Sequence, residues 1–162
     1  MPSIAYERTF LCSPDKLWPY LEDPDKIVQW MKGVVEDRPT SPGPTGVGST
    51  FLMRIKEGRK VNDYHGRITA YEKQKHMAIV MWGGCLPQGA EIAVDYKLHD
   101  VGGRTRVDYV CGFEPKGFFM RLMSPLFLVM GKMQVKSFFK KLAELVEAPE
   151  GGVRTAMARP AR

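Results

Sequence analysis

The 162-residue chain is 44% hydrophobic and 26% charged, proportions ordinary for a soluble globular protein and long enough for one domain to bury a real core. Cys12, Cys85 and Cys111 have no close partner, and His65, His76 and His99 are scattered, so neither a disulfide framework nor a zinc site is expected. The net charge of +6 is spread through many segments, with no zinc-finger spacing and no RNA-binding aromatic signature, which argues against a nucleic-acid partner.

Residues 3–12 alternate, with Ile4, Tyr6, Arg8, Phe10 and Cys12 in one phase, and predict a strand. Ser13-Pro14-Asp15 then opens a helix as N-cap, first-turn proline and first-turn acid. Leu17, Trp18 and Leu21 form its apolar face. Asp23-Pro24-Asp25 starts a second helix in the same way, carrying Ile27, Val28, Trp30 and Met31 until Gly33 stops it.

A strand over 34–38 leads into a proline- and glycine-rich loop, 39–48. Phe51, Met53 and Ile55 alternate with polar neighbours as a half-buried strand. Residues 61–73 predict a further strand, with a bulge expected at Gly66. His76 to Gly84 reads as a nearly continuous apolar strand. Residues 92–99 and 106–113 alternate cleanly around the turn Asp100-Val101-Gly102-Gly103, the clearest hairpin in the chain. Strands at hairpin spacing with no intervening helices imply an antiparallel sheet.

The chain then closes on a long apolar helix, 117–147. Leu122, Leu126, Val129, Met130 and Met133 follow helical spacing and predict its buried stripe, continued by Leu142 and Leu145, with Phe138 and Phe139 between. Pro125 is expected to kink or interrupt it, and Gly131 to leave room beside it. Met120, Met123, Met130 and Met133 suit an adaptable apolar surface. The longest uncharged apolar stretch, Leu122 to Gly131, falls far short of the roughly 20 residues of a bilayer span. The N-terminus carries no apolar signal region, so a cytoplasmic location is expected. Residues 149–162 hold three arginines and one glutamate without an apolar pattern and read as a disordered basic tail. The domain is thus placed at 1–148.

This order of parts resembles the helix-grip, START-like (SRPBCC) superfamily, in its polyketide cyclase/dehydrase and lipid-transport branch. The likeness rests on Tyr6-Glu7-Arg8-Thr9-Phe10 leading to Ser13-Pro14-Asp15-Lys16-Leu17-Trp18, on Trp30-Met31-Lys32-Gly33-Val34-Val35, on residues 44–51, and on Gly103-Arg104-Thr105-Arg106-Val107. These are fold signatures rather than catalytic motifs. The resemblance implies an α+β fold: a curved seven-stranded antiparallel sheet wrapped around the long C-terminal helix, two short helices after the first strand, and an apolar cavity between sheet and long helix. Ligand binders, lipid carriers, cyclases and accessory proteins all share that fold, so it does not choose an activity.

No nucleophile elbow, phosphate loop, metal pattern or dinucleotide fingerprint occurs, and no cofactor is expected. Tyr96 and Tyr109 fall in the inward phase of the hairpin, where their hydroxyls could orient a ligand. Arg8 is in phase with Tyr6 and Phe10, as an inward charge. His65 falls outward, and with Asp63 it makes a poor dyad, since residues two apart on a strand lie side by side without assured contact.

The expected function is binding of an apolar or amphipathic small molecule, such as a lipid, polyketide or isoprenoid-like compound. The expected lining is Phe51, Met53, Tyr96, Tyr109, Phe113, Leu126, Met130 and Met133. A cyclase/dehydratase-type enzyme using an inward tyrosine or Arg8 is the alternative. A further alternative is an interaction or membrane-accessory protein in which the basic segment with Lys136, Lys140 and Lys141, together with the tail, engages a partner or makes transient contact with an anionic membrane surface. An unpaired edge strand would also allow a homodimer.

Overall fold

The computed structural model describes residues 3–113 and 118–148; the expected tail lies outside them. The elements are β1 (Ser3–Phe10), α1 (Pro14–Glu22), α2 (Pro24–Trp30), β2 (Val34–Pro39), β3 (Thr50–Glu57), β4 (Lys60–Glu72), β5 (His76–Gly83), β6 (Glu91–Asp100), β7 (Thr105–Phe113) and α3 (Phe118–Val146). The seven strands form one sheet in the order β1-β7-β6-β5-β4-β3-β2, antiparallel throughout. β1 and β2 are consecutive strands yet occupy opposite edges, so α1 and α2 carry the chain across the sheet. This is the arrangement the resemblance implies, and the helices begin where their caps place them. Asp23 caps α2 by accepting the Asp25 backbone N–H at 3.0 Å. Ser13 sits at the N-cap of α1 in extended backbone but makes no side-chain cap bond.

Two bulges reset the alternation of the strands. One lies at Val35, between the pairs Val34–Ile55 and Glu36–Arg54. The other lies at Thr69, between Ile68–Ile79 and Ala70–Ala78, not at Gly66 as expected. Gly66 is in regular register opposite Phe51, whose ring lies where a Cβ at 66 would stand. It is glycine for close approach rather than for a bulge.

α3 runs unbroken through Pro125, so the expected interruption does not occur. Its buried residues are Ser124, Val135, Phe139, Leu142, Ala143 and Val146, with Leu128 and Phe138 packed against them. Leu142 and Leu145 thus face the core as expected, but the first half of the expected stripe is on the wrong side. Leu122, Leu126, Val129, Met130 and Met133 all face solvent, Met133 with 69% of its surface exposed. Between 122 and 131 the helix is apolar on nearly every side, so spacing cannot select a face there. Gly131 selects it: a Cβ at that position would stand 2.5 Å from Ile4 Cδ1. The helix lies on β1 along its bare glycine edge, and Gly131 gives close packing rather than spare room. Phe139 anchors the contact, its ring 5.4–6.0 Å from those of Tyr6, Phe10, Trp30 and Tyr109, edge to face with Phe10 and Tyr109 and tilted against Tyr6 and Trp30.

Candidate functional site

With α3 seated over β1, the rest of the concave sheet face is roofed by α1, α2 and the β2–β3 loop. A cavity of about 270 Å³ lies beneath them. Alternation supplies its floor: Phe51, Met53 and Ile55 from β3, Ile68 from β4, Met77, Ile79 and Met81 from β5, Ile92, Val94 and Tyr96 from β6, and Tyr109 and Cys111 from β7. Leu21, Glu22, Pro24, Ile27, Trp30 and Met31 form the roof, and Asp37, Pro39, Thr45 and Ser49 the β2 side. None of the described residues of α3 lines it. The space expected between sheet and long helix is instead between sheet and short helices.

The expected lining divides accordingly. Phe51, Met53, Tyr96 and Tyr109 all reach the cavity. Phe113, paired with Ile92 at the end of β7, is not among its lining residues. Leu126, Met130 and Met133 stand on the outer side of α3, 50%, 58% and 69% exposed. Arg8 also misses the cavity and holds its guanidinium 5.7 Å from the centre of the Phe10 ring. His65 points outward as expected and stacks on Trp82, while Asp63 takes an ion pair from Arg54 at 2.9 Å. The two form no dyad.

The cavity's polar groups are few and mostly neutral at pH 7. Burial pushes the Tyr96 and Tyr109 hydroxyls well above the usual phenol range, and the rings meet edge to face at 5.2 Å. Burial likewise raises the Cys111 thiol, partly offset by a hydrogen bond with Tyr109. At the roof, Glu22 accepts the Tyr71 hydroxyl at 2.9 Å.

Asp37 is different. Its Oδ1 is buried with no hydrogen-bond partner, and burial raises its carboxyl from 3.8 to about 6, offset only by the backbone N–H of Arg38. Alternation counted from Val34 would turn Asp37 outward. The bulge at Val35 turns it in, and two adjacent valines carry no mark of a bulge. Among the described residues no group of His, Cys, Asp and Glu is placed to hold a metal ion.

The sequence matches the polyketide cyclase/dehydrase and lipid transport family over residues 1–147. The chain belongs to that family. No curated protein matches it. Among solved structures it is similar to TTHA0849 from Thermus thermophilus, at 16% identity and TM-score 0.71 over 90% of this chain and 97% of that one. It is also similar to Ara h 8.0201, at 15% identity and TM-score 0.69 over 91% and 98%. DynU16, from the dynemicin biosynthetic locus, matches at 16% identity and TM-score 0.64 over 91% of this chain and 48% of that one. These likenesses show the START-like helix-grip fold. Membership of the polyketide cyclase/dehydrase and lipid transport family suggests a role in binding an apolar ligand or in cyclase-like chemistry.

Proposed function

We propose that the protein binds an apolar or amphipathic small molecule, of lipid, polyketide or isoprenoid type, in the cavity between the sheet and α1–α2. The observation that carries this reading is a hollow walled mainly by aliphatic, methionine and aromatic side chains with only a few polar groups among them, the usual make-up of a small-molecule site. Affinity would come from apolar burial, at about 25 cal/mol per Å². The arrangement favours holding a ligand over turning one over. The described lining holds no histidine, lysine or arginine, and burial keeps its clustered Tyr96, Tyr109 and Cys111 protonated at pH 7, which leaves little for proton transfer to draw on.

Uptake of the neutral fluorophore N-phenyl-1-naphthylamine tests this. Ile79→Arg puts a cation on the cavity floor and should abolish uptake, whereas Met130→Arg on the outer side of α3 should leave it unchanged. Equal effects of the two, or none from Ile79→Arg, would overturn the reading. Native mass spectrometry of detergent-free protein, with extraction of any bound molecule, would then identify the natural ligand.

The outer face of α3 carries a second reading, compatible with the first. Leu122, Leu126, Phe127, Val129, Met130 and Met133 are all exposed, an apolar patch unusual on a soluble surface. The same helix continues with Lys132, Lys136, Lys140 and Lys141 against Glu144 alone. We propose that this face rests on an anionic lipid surface, apolar half in the headgroup boundary and lysines at the phosphates. Apolar burial joined to cation attraction is the chemistry of interfacial helices. The protein should float with vesicles containing phosphatidylserine and not with phosphatidylcholine alone. High salt, or Leu126→Gln with Met130→Gln and Met133→Gln, should release it. Absence from phosphatidylserine vesicles at low salt would sink the idea.

A further inference from the structure

We infer that Asp37 selects the ligand's polar end: the cavity takes an amphipathic molecule whose head group donates a hydrogen bond, a hydroxyl or an ammonium, and discriminates against a carboxylate. The inference rests on the cavity being a ligand site, as proposed above, and adds the head group to that reading.

The argument is one of unmet hydrogen bonding. Asp37 lies on the β2 edge of the cavity, opposite Met53 in the β2–β3 ladder, and its buried Oδ1 has no partner. A buried carboxylate oxygen without a donor is among the costlier features a fold can keep. A ligand donor would remove that cost, and a ligand carboxylate would add like-charge repulsion. No protein cation is placed to intervene, since the described residues lining the cavity include neither lysine nor arginine. Arg38 and Arg54 point their guanidinium groups to Glu36 and Asp63. From α2, Lys26 lies over the Tyr20 ring. The other titratable groups facing the cavity are Glu22, held by Tyr71, and Tyr96, Tyr109 and Cys111, all neutral at pH 7. An ammonium's advantage should therefore fade as pH drops through about 6, where Asp37 takes up its proton.

The test is displacement of N-phenyl-1-naphthylamine at pH 7.5 by four compounds with a common decyl chain: decylamine, decanol, decanoate and methyl decanoate. In the native protein, decylamine or decanol should compete at least about tenfold better than decanoate, as expected of a hydrogen bond to a charged group. Asp37→Asn keeps the shape and an acceptor oxygen but removes the charge. It should lower decylamine affinity, improve decanoate and leave methyl decanoate within about twofold. Asp37→Leu removes the acceptor, so decanol should weaken as well. Loss confined to decylamine assigns an ammonium; loss of decanol in Asp37→Leu with retention in Asp37→Asn assigns a hydroxyl. An unchanged order of head groups in both variants, or a native preference for decanoate, overturns the inference while methyl decanoate binding keeps the cavity reading intact. If no decyl compound displaces the fluorophore from the native protein, the cavity reading fails and takes this inference with it.

Discussion

At the scale of single residues, the ligand contact proposed for Asp37 and the stability of the fold oppose each other. The Asp37 carboxyl titrates near 6 in the folded chain against 3.8 as the ordinary value, so the native state holds its proton more tightly than the unfolded one does. The stability this group contributes is complete below about 3.8 and is lost as pH rises through about 6. A shift of about two units is worth roughly 3 kcal/mol at most, and partial solvent access reduces that to about half. Asp37→Asn should therefore stabilise the protein by on the order of 1–2 kcal/mol at pH 7.5 and by almost nothing at pH 4. Urea denaturation of both proteins at the two pH values reads this directly, because titrations common to both cancel in the difference. An equal change at pH 4 and 7.5 would mean that the carboxyl is not desolvated in the native state. Gly66 and Gly131 make the complementary point, since each is set by a neighbour, Phe51 or Ile4, that occupies the space of the missing Cβ.

At the scale of elements, most of the fold is legible in the sequence because its signals are local. Ser13-Pro14 and Asp23-Pro24 announce α1 and α2, and the alternation of β6 and β7 survives into the ladder with Tyr96 facing Tyr109. Phe51, Met53, Tyr96 and Tyr109 reach the cavity because each lies in a run of strand that no bulge interrupts. What is not legible depends on contacts across the chain. The bulge at Val35 brings Asp37 inward, yet it is marked by nothing in residues 34–39. The face that α3 buries is hidden as well. Its first half is apolar all round, and only the approach of Ile4, more than a hundred positions earlier, decides between two equally good stripes. A period of 3.6 locates a helix face only where the opposite face is polar, as it is beyond Lys132. There the reading of Phe139 and Leu142 as core agrees with their burial.

At the scale of the whole molecule, a domain of this size keeps a hollow where close packing would be more stable. Protein interiors ordinarily fill such space, and an empty apolar volume weakens a fold by roughly 24 cal/mol per Å³ when it is closed and dry. The hollow here is about 270 Å³ and communicates with solvent, so only part of that deficit applies, but its sign is clear. Filling it should strengthen the fold and remove the proposed ligand binding, the usual opposition between stability and activity. Ile79 and Ile92 belong to neighbouring parts of the floor, on β5 and β6, and both are only partly buried. Enlarging them to phenylalanine extends side chains into empty space rather than into packed neighbours. The variant Ile79→Phe with Ile92→Phe should therefore gain a few degrees in Tm, about 2–5 °C for a gain near 1 kcal/mol, while N-phenyl-1-naphthylamine uptake falls at least about tenfold. A lower Tm with uptake retained would show that the cavity walls are already packed against something the two rings displace. A higher Tm with uptake lost would mean that the space itself, rather than any single side chain lining it, is what this fold maintains at the expense of stability.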